Sequence, residues 1–434
     1  MIELPPRIDM KAFWDALQGK IGNEISLLVD KANEEYDYWD KVKYKSLPQG
    51  CTPQMFWSYV KASRLQGMIS VWEKYGIKLC VTNQMQRLCH EFDMLFGSFW
   101  DEAENSQNVD KKHYLASSLM EEAIYSSQME GASTTRIVAK EMLRKKKAPQ
   151  NKSQQMIVNN YATIQYIVQH RDEPLTEERL QHIHRLMTEK TLDNPDNAGH
   201  FRNNDEVVVA DMIQGEIVFT PPSHHEIPEF VTTLCQFFND DNPRVFIHPI
   251  IKGIIIHFML AYMHPFVDGN GRTARALFYW YMLKQKYWLT EYMSISRVIA
   301  KSKNAYEKTF RYSENDNNDI GYFVAYNLRA LKLAFVQLRD YIQRKQKEKK
   351  AANAYMSIGN INQRQAMILQ QFTEDASLVM TVKDVQVLFA ITPMTARKDL
   401  SELVQRGYLQ EIAINKVTRG YIKGERFEQL GHTL

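Results

Sequence analysis

The sequence predicts a mainly α-helical protein of about three folding units, and three observations carry this expectation. The chain has 434 residues, roughly three times a typical domain of about 150. It holds only 18 glycines and 14 prolines, about 7% together against a usual share of about 12%, so helix-breaking residues are scarce. Apolar residues recur at i, i+3 and i+4 through much of the chain, which is typical of amphipathic helices.

Charge and composition limit the classes of function. Lysine and arginine total 54 against 51 for aspartate and glutamate, so the net charge of +3 is too balanced for a chain that coats a polyanion. Hydrophobic residues make up 44% and charged residues 24%, as in ordinary folded proteins. Any nucleic-acid surface is therefore expected to be local.

The sequence shows neither a membrane span nor a secretory signal. The longest apolar run, 253–263, contains a histidine and falls short of the ~20 residues of a membrane span, so we expect a buried helix and no membrane partner. The chain start lacks a basic region followed by an apolar stretch, which predicts a cytoplasmic protein. The four cysteines have no metal-ligand spacing and are expected to be reduced.

The first region, 1–112, is expected to be an amino-terminal helical region. Aromatic residues recur at helical spacing in 33–39 and 54–60, and the polar run 101–110 follows them. The sequence does not indicate what this region does.

The second region, 113–345, combines helices with one hairpin. Helical periodicity recurs in three of its stretches: 115–130, 154–170 and 178–188. The β-branched stretches 207–210 and 216–219 flank a turn that contains Gly215, and this pattern predicts a hairpin. The basic run and alanines of 344–354 are expected to be a solvated helix end followed by a linker.

The third region, 355–434, is expected to be a winged-helix domain. Three short helical patterns lie in it: 363–372, 381–390 and 392–406. Two strand-like stretches, 407–412 and 417–422, follow them, and three helices before a terminal hairpin are the order of a winged helix. Thr381 and Thr392 are candidate caps at the starts of the second and third helices.

The segment 264–275 carries the candidate chemistry. It lies between two strongly helical stretches, 249–263 and 273–286, and is expected to be the loop that joins them. Because a helix begins where this loop ends, the segment falls at a helix amino terminus, a position that attracts phosphate.

Gly269, Asn270 and Gly271 can turn successive backbone amides inward as an anion-binding nest, because glycine permits positive φ and close backbone approach. Arg272 and Arg275 are three residues apart on the following helix and can bind further phosphate oxygens. Together these groups predict a site for a polyphosphate.

Three other residues of the loop complete the candidate site. Asp268 beside an anion nest indicates a cation, and Mg²⁺ is bound by one or two carboxylates together with substrate phosphates. His264 can accept a proton near neutral pH, as a general base for an incoming hydroxyl does. Phe266 is expected to be an apolar anchor. A plain capped helix junction explains any one of the candidate residues of 264–275. It poorly explains the presence of seven of them within these twelve positions.

This segment resembles the signature of the Fic family, HPFx(D/E)GNGRxxR, and matches it at every specified position. The segment 199–202 with the hairpin end 219–222 is similar to the Fic flap, and 248–257 resembles the helix before the signature. The resemblance covers residues 115–340 and implies a helical Fic fold with a β-hairpin flap.

The resemblance implies transfer of AMP from ATP to a Ser, Thr or Tyr hydroxyl of a target protein or of the chain itself. His264 would deprotonate the hydroxyl, and Asp268 would hold Mg²⁺ against the α and β phosphates. The phosphates would be bound by Gly269, Asn270, Gly271, Arg272 and Arg275, with Arg275 at the γ-phosphate. Phosphorylating relatives carry Lys where this chain has Gly271, which favours AMP transfer.

The resemblance also implies sites around the loop. Flap residues Val218, Phe219 and Thr220 would lie along the target segment, which would pair with the hairpin as an added strand. The alternative is that the hairpin is simple surface structure. Tyr306 lies where relatives often place an aromatic residue near the adenine base, although a core tyrosine is equally consistent with the sequence.

A candidate inhibitory segment lies upstream, in a helix expected over 114–131. Gly131 is suited to a helix C′ position, and Glu130 is a carboxylate near a helix carboxyl terminus, where the dipole disfavours it. The segment is similar to the Fic inhibitory motif (S/T)xxxE(G/N), matched by Ser126, Glu130 and Gly131. By this resemblance Glu130 would pair with Arg275 and inhibit the enzyme.

The third region resembles bacterial winged-helix regulators in 395–400 and 402–409. If it binds DNA, the contacting cations would be Arg397, Lys398, Lys416 and Arg419. Residues 361–434 hold nine basic and eight acidic side chains, which is weak electrostatic support, so docking of a protein stays open.

Two alternatives to the enzyme remain at this point. One is a nucleotide-sensing, DNA-binding regulator with little transferase activity, but a sensor has no need of both His264 and a hydroxyl-presenting hairpin. A metallohydrolase built on His248, His257 and His264 is weaker, because no HExxH motif is present. A homodimer is possible, and the sequence does not decide the oligomeric state.

Overall fold

The computed structural model describes residues 2–104, 111–210, 215–356, 361–375, 378–414 and 418–427. The chain divides into two compact units, Met1–Glu102 with Asp110–Leu338, and Ala103–Val109 with Arg339–Leu434. Within the described residues, every helix is too short or too polar to cross a membrane. The fold is mainly helical, as predicted.

The first part of unit 1 is helical apart from one hairpin. Its helices are α1 (Met10–Leu17), α2 (Asn23–Glu34), α3 (Trp39–Val42), α4 (Pro53–Gln66) and α5 (Asn83–Glu104). Strands β1 (Met68–Trp72) and β2 (Ile77–Cys80) pair antiparallel. The expectation of a purely helical front region missed this hairpin, because strands of five and four residues are too short for alternation to be distinguished from a helical turn.

The front region shares its core with the rest of unit 1. Arg64 of α4 is fully buried and donates to Asn33 at 2.8 Å and to the Tyr322 hydroxyl at 2.7 Å. The Tyr36 hydroxyl donates to Asp319 at 2.6 Å. Buried polar groups bonded in this way fix the two parts of the chain together. The change of composition near residue 112 is therefore not accompanied by a separate core.

The second part of unit 1 carries the predicted loop. Its helices are α6 (Lys111–Met129), α7 (Arg136–Arg144), α8 (Lys152–Gln169), α9 (Glu177–Thr188), α10 (Ile227–Asn239), α11 (Pro249–Met263), α12 (Asn270–Lys284), α13 (Ile295–Lys301), α14 (Lys303–Asn315) and α15 (Gly321–Met356). Strands β3 (Val209–Ala210) and β4 (Ile217–Phe219) form the predicted hairpin, whose turn residues 211–214 lie outside the described residues.

Helices α11 and α12 form the centre of this unit. Every residue of 250–261 and of 272–283 is buried, so both helices are enclosed on all sides. His248 caps α11 and Pro249 occupies its first turn, a position where proline is favoured. The loop between these two helices is consequently supported by the most buried part of the molecule.

Among the described residues from 361 onward, unit 2 contains three helices and one antiparallel sheet. Its elements are α16 (Gln363–Glu374), β5 (Met380–Thr381), α17 (Val382–Phe389), α18 (Pro393–Gln405), β6 (Leu409–Ala413) and β7 (Arg419–Lys423), with strand order β5-β7-β6. Thr381 and Thr392 cap α17 and α18, as predicted. The winged-helix assignment itself stays a prediction.

The linker predicted within 344–354 is wrong, because α15 continues to Met356. The reason is visible in the sequence. Residues 322–356 contain neither glycine nor proline, and the alanines after the basic run are strong helix formers.

Candidate functional site

The candidate loop reverses the chain between α11 and α12 through two left-handed residues. His264 has φ 47° at the end of α11, and Gly269 has φ 84° at the start of α12. A Cβ atom at Gly269 would lie 2.8 Å from the Thr188 Cγ2 atom and 3.3 Å from the His184 Nε2 atom. Only glycine fits this position, for conformational and steric reasons together.

The amino terminus of α12 is open toward the site. Gly269 is its N-cap residue, and it carries no side chain that could accept from the first-turn amides. The backbone N–H groups of that turn, which include Asn270 and Gly271, are therefore available to an anion. This geometry agrees with the predicted nest.

Asn270 acts on the loop through its side chain. Its Oδ1 atom accepts from the Phe266 N–H at 3.0 Å, and its Nδ2 atom donates to the Phe266 carbonyl at 2.8 Å. The amide is thereby used within the loop, and only the backbone of Asn270 can contribute to phosphate binding. Phe266 is fully buried, as expected of an anchor.

His264 is oriented by its own helix. Its Nδ1 atom lies against the carbonyl of Ala261, to which a ring N–H at Nδ1 donates. The Nε2 atom then carries the free lone pair. Burial lowers the pKa of His264, so the ring is neutral near pH 7 and can accept a proton.

Asp268 is the exposed carboxylate of the loop. Its side chain is 55% exposed, with Oδ1 accepting from the Gly269 N–H at 2.5 Å and Oδ2 lying 3.7 Å from an Arg272 nitrogen. Within the described residues, no three histidines, cysteines or carboxylates converge to hold a metal unaided. A single exposed carboxylate fits Mg²⁺ whose other ligands are phosphate oxygens and water.

Arg272 is a buried cation with an incomplete set of partners. Its side chain is 1% exposed and donates to the Met187 carbonyl at 3.2 Å, while its Nε–H has no hydrogen-bond partner. Burial lowers its pKa. An arginine held in this condition at a helix amino terminus gains hydrogen bonds when a phosphate binds.

Arg275 is fully engaged by the carboxyl end of α6. It donates from Nε to the Ser126 hydroxyl at 2.9 Å, and from one terminal nitrogen to the Ser126 carbonyl at 2.9 Å and to Glu130 at 2.8 Å. Burial raises the pKa of the Glu130 carboxyl, but Arg275 together with the charges of Arg272 and Lys303 more than reverses this effect, so the net pKa is lowered. The structure thus brings the predicted Ser126, Glu130 and Arg275 together.

Glu130 also covers the nest. A Cβ atom added at Gly271 would lie 2.9 Å from the Glu130 Cδ atom, so the carboxylate rests directly against the backbone of Gly271. Gly131, with φ 92°, ends the segment in the left-handed conformation expected of a C′ glycine. Lys303 donates to the Met129 carbonyl at 2.8 Å and so binds the same helix end.

The flap presents a free strand edge beside the loop. Phe219 packs against Tyr262 with ring centroids 5.3 Å apart, whereas Thr220 is exposed and Val218 is partly buried. Arg202 joins the flap to the loop, because it donates to the His264 carbonyl at 2.9 Å and to the Pro222 carbonyl.

Tyr306 lies in the core. It is buried and its hydroxyl hydrogen-bonds the Nε2 atom of His257 at 2.9 Å. Burial raises the pKa of Tyr306 and lowers that of His257 to about 3. These contacts correspond to the core-tyrosine alternative rather than to an adenine platform.

The sequence does not indicate that His184, Arg202 and Lys303 form hydrogen bonds to the loop or to the end of α6. His184 is fully buried, and burial lowers its pKa to about 4. Its contact with the loop spans 84 residues and that of Lys303 with α6 spans 174, so no local pattern could reveal them.

Comparisons with known proteins identify the domain that contains the loop. A model of the Fic/DOC family matches residues 174–282. The protein adenylyltransferase Fic of Nematostella vectensis is 31% identical over 107 residues, which are 25% of this chain and 22% of the relative. The protein adenylyltransferase fic-1 of Caenorhabditis elegans is 42% identical over 59 residues, which are 14% of this chain and 11% of the relative. The matches span about a fifth or less of these relatives' length.

A solved structure supports the fold. The crystal structure of a Fic family protein from Desulfovibrio desulfuricans G20 aligns with a TM-score of 0.52 and 17% identity, over 79% of this chain and 97% of that chain. At this identity the likeness establishes the architecture alone.

Proposed function

This chain carries a Fic domain, and we propose that it is a protein adenylyltransferase that moves AMP from ATP to a Ser, Thr or Tyr hydroxyl of a target protein or of the chain itself. The observation that carries the proposal is the oriented imidazole of His264, whose Nε2 lone pair is free at the mouth of an uncapped helix amino terminus. The names of the adenylyltransferase relatives support the same reaction.

The chain's own groups account for the transfer. His264 accepts the proton of the target hydroxyl at Nε2, and the hydroxyl oxygen attacks the α-phosphorus. The bond from that phosphorus to the α–β bridging oxygen breaks, and pyrophosphate leaves with the electron pair. Mg²⁺ bound at Asp268 would neutralise charge on the α and β phosphates.

Apart from Arg275, which is held by Ser126 and Glu130, the phosphates are bound by groups that have unused donors. The first-turn amides of α12 point at them, and the unpartnered Nε–H of Arg272 supplies one more donor. Gly271 has no side chain that could compete for this space. The free edge of β4, with Val218, Phe219 and Thr220, presents the target segment as an added strand.

The enzyme is held inactive by Glu130. The γ-phosphate of ATP and the Glu130 carboxylate require the same guanidinium of Arg275, and two anions cannot share it without strong repulsion. Because Glu130 also lies against Gly271, it covers part of the nest. The resting chain should therefore transfer AMP slowly.

For unit 2 we propose a docking role, on a protein rather than on DNA. Lys398 lies 4.0 Å from Glu402 and Arg419 lies 3.5 Å from Glu411, so two of the predicted DNA-facing cations face carboxylates. Lys416 lies outside the described residues. Met394 of α18 and Val387 of α17 are 83% and 77% exposed, and such apolar side chains offer surface to a protein rather than to phosphates.

The test is labelling with ATP that carries the label at the α-phosphorus. The Glu130→Gly variant, incubated with Mg²⁺ and a cell extract, should label protein at least about tenfold more strongly than the unchanged chain. A parallel reaction with the label at the γ-phosphorus is the control; kinases of the extract use this label, so labelling should be the same with Glu130→Gly as with the unchanged chain. A gain of γ label with Glu130→Gly would indicate phosphate transfer, and equal weak α labelling with both proteins would contradict inhibition by Glu130.

A further inference from the structure

His184 lies on α9, outside the predicted signature, and makes two contacts with the loop and one with Gly199. Its Nε2 atom is 2.7 Å from the Asp268 carbonyl oxygen, and its Nδ1 atom accepts from the Gly199 N–H at 3.0 Å. Its ring stacks on Phe266 with centroids 3.7 Å apart and planes inclined by 2°. No other face of the ring is exposed, since the residue is fully buried.

The hydrogen-bond partners determine the tautomer. A backbone N–H can only donate, so the Nδ1 atom of His184 must carry the lone pair that meets Gly199. The ring proton is then on Nε2, which donates to the Asp268 carbonyl. Both nitrogens of the neutral imidazole are used, and the ring is fixed in position and orientation.

The Asp268 carbonyl belongs to the peptide that joins Asp268 to Gly269. The N–H of the same peptide is bound by the Asp268 carboxylate at 2.5 Å and stands at the start of the nest. A rotation of this peptide would therefore break the N–H bond that holds the Asp268 carboxylate and would turn the first amide away. His184 opposes that rotation, and the 3.3 Å separation between its Nε2 atom and a Cβ built on Gly269 shows how closely it packs there.

We propose that His184 is a positioning residue of the transfer reaction: by holding the peptide between Asp268 and Gly269, it sets the direction in which the Asp268 carboxylate meets the divalent cation of the nucleotide. The inference rests on the proposed function. His184 itself touches neither nucleotide nor reacting atoms, and acts through the loop in the way that outer-shell partners orient metal ligands.

The alternative is that His184 only fills space beneath Phe266. Two substitutions distinguish this alternative from the proposal. His184→Phe keeps an aromatic ring for stacking but removes both hydrogen bonds, whereas His184→Gln can still donate to the Asp268 carbonyl and accept from Gly199. His182→Phe is the matched control, because His182 lies on the same helix, is partly exposed and contacts the Tyr166 ring rather than the loop.

The experiment uses the full chain in the Glu130→Gly background. Electron paramagnetic resonance measures the affinity for Mn²⁺ in the presence of α,β-methylene ATP, which cannot release pyrophosphate. Initial rates give kcat and KM for ATP, and thermal unfolding monitors folding.

We expect His184→Phe to weaken Mn²⁺ binding and lower kcat by about 10–100-fold, with KM for ATP changed much less. His184→Gln should recover most of both losses, and His182→Phe should change neither. Equal Mn²⁺ affinity in His184→Phe and the control overturns the proposal, and so does an equal loss in His184→Gln and His184→Phe. If the background variant transfers no AMP, the proposed function fails, while the Mn²⁺ measurement still decides the role of His184.

Discussion

The two segments that meet at Arg275 are held in different ways. The loop 264–269 is held by hydrogen bonds from the neutral side chains of His184 and Asn270 and from the guanidinium of Arg202, which donates to the His264 carbonyl. The inhibitory segment 126–131 meets Arg275 through two hydrogen bonds of the buried Ser126 and through the ion pair of Glu130, whose side chain is 33% exposed.

This difference indicates which of the two segments ATP can displace. The bonds that hold the loop are all made to its backbone, where ATP offers no replacement, so we expect the loop to keep its shape whether or not nucleotide is present. A partly exposed carboxylate on an arginine can be replaced by another anion at the same guanidinium. The loop is preorganised, and the inhibitory segment is displaceable.

The largest effect on AMP transfer is expected from a substitution of His264, which belongs to the loop. In the Glu130→Gly background, His264→Ala should lower AMP transfer by about 10²–10⁴-fold, because the general base is lost. Binding of α,β-methylene ATP, measured by calorimetry, should change little. Retained transfer would show that His264 is not the base, and loss of nucleotide binding would show that the loop itself had collapsed.

A substitution of Gly271 tests the contact between the inhibitory segment and the start of α12. A Cβ atom at this position meets the Glu130 carboxylate, but it also takes space in the nest that would bind phosphate. In the resting chain the displacement of Glu130 offsets this obstruction, so Gly271→Ala should change the affinity for α,β-methylene ATP little. In the Glu130→Gly background only the obstruction is left, and the affinity should fall by about tenfold. An identical change in both backgrounds would mean that Glu130 does not occupy the nest in solution.

A smaller effect is expected from Lys303, which binds the end of the inhibitory helix. Lys303→Met removes the cation from the Met129 carbonyl and should raise AMP transfer by about two- to fivefold, the size of a helix-terminus charge effect. Lys301→Met is the control, since Lys301 is exposed on the neighbouring helix. Equal rates for the two variants would assign the inhibition to Glu130 alone.

The smallest effect concerns pH. The pKa of Glu130 lies below its usual 4.5, because Arg275, Arg272 and Lys303 together outweigh burial. A carboxyl with a lowered folded pKa stabilises the fold above its unfolded pKa, and this contribution is lost as pH falls through the lowered value. The difference in unfolding free energy between the chain and Glu130→Gln should be constant from neutral pH to about 5 and shrink below it. A difference that grows on acidification would contradict the ion pair.

The sequence predicted the parts that depend on neighbouring residues. Helix α11, Pro249–Met263, has the predicted bounds, and the caps at Thr381 and Thr392 follow from local hydrogen-bonding chemistry. The bonds from His184 and Arg202 to the loop, 84 and 62 residues apart along the chain, depend on tertiary packing and leave no periodic signal. Sequence therefore indicated which residues form the site and not which ones hold it in shape.

The contact of Glu130 with Arg275 has a thermodynamic consequence for any partner of α6. If Glu130 and the γ-phosphate exclude one another as proposed, a protein that draws the end of α6 away must increase the affinity for ATP. Linkage is reciprocal, so saturating ATP increases the affinity for that protein by the same factor. The cellular ATP concentration would then determine not only how fast the enzyme works but also which proteins it keeps bound.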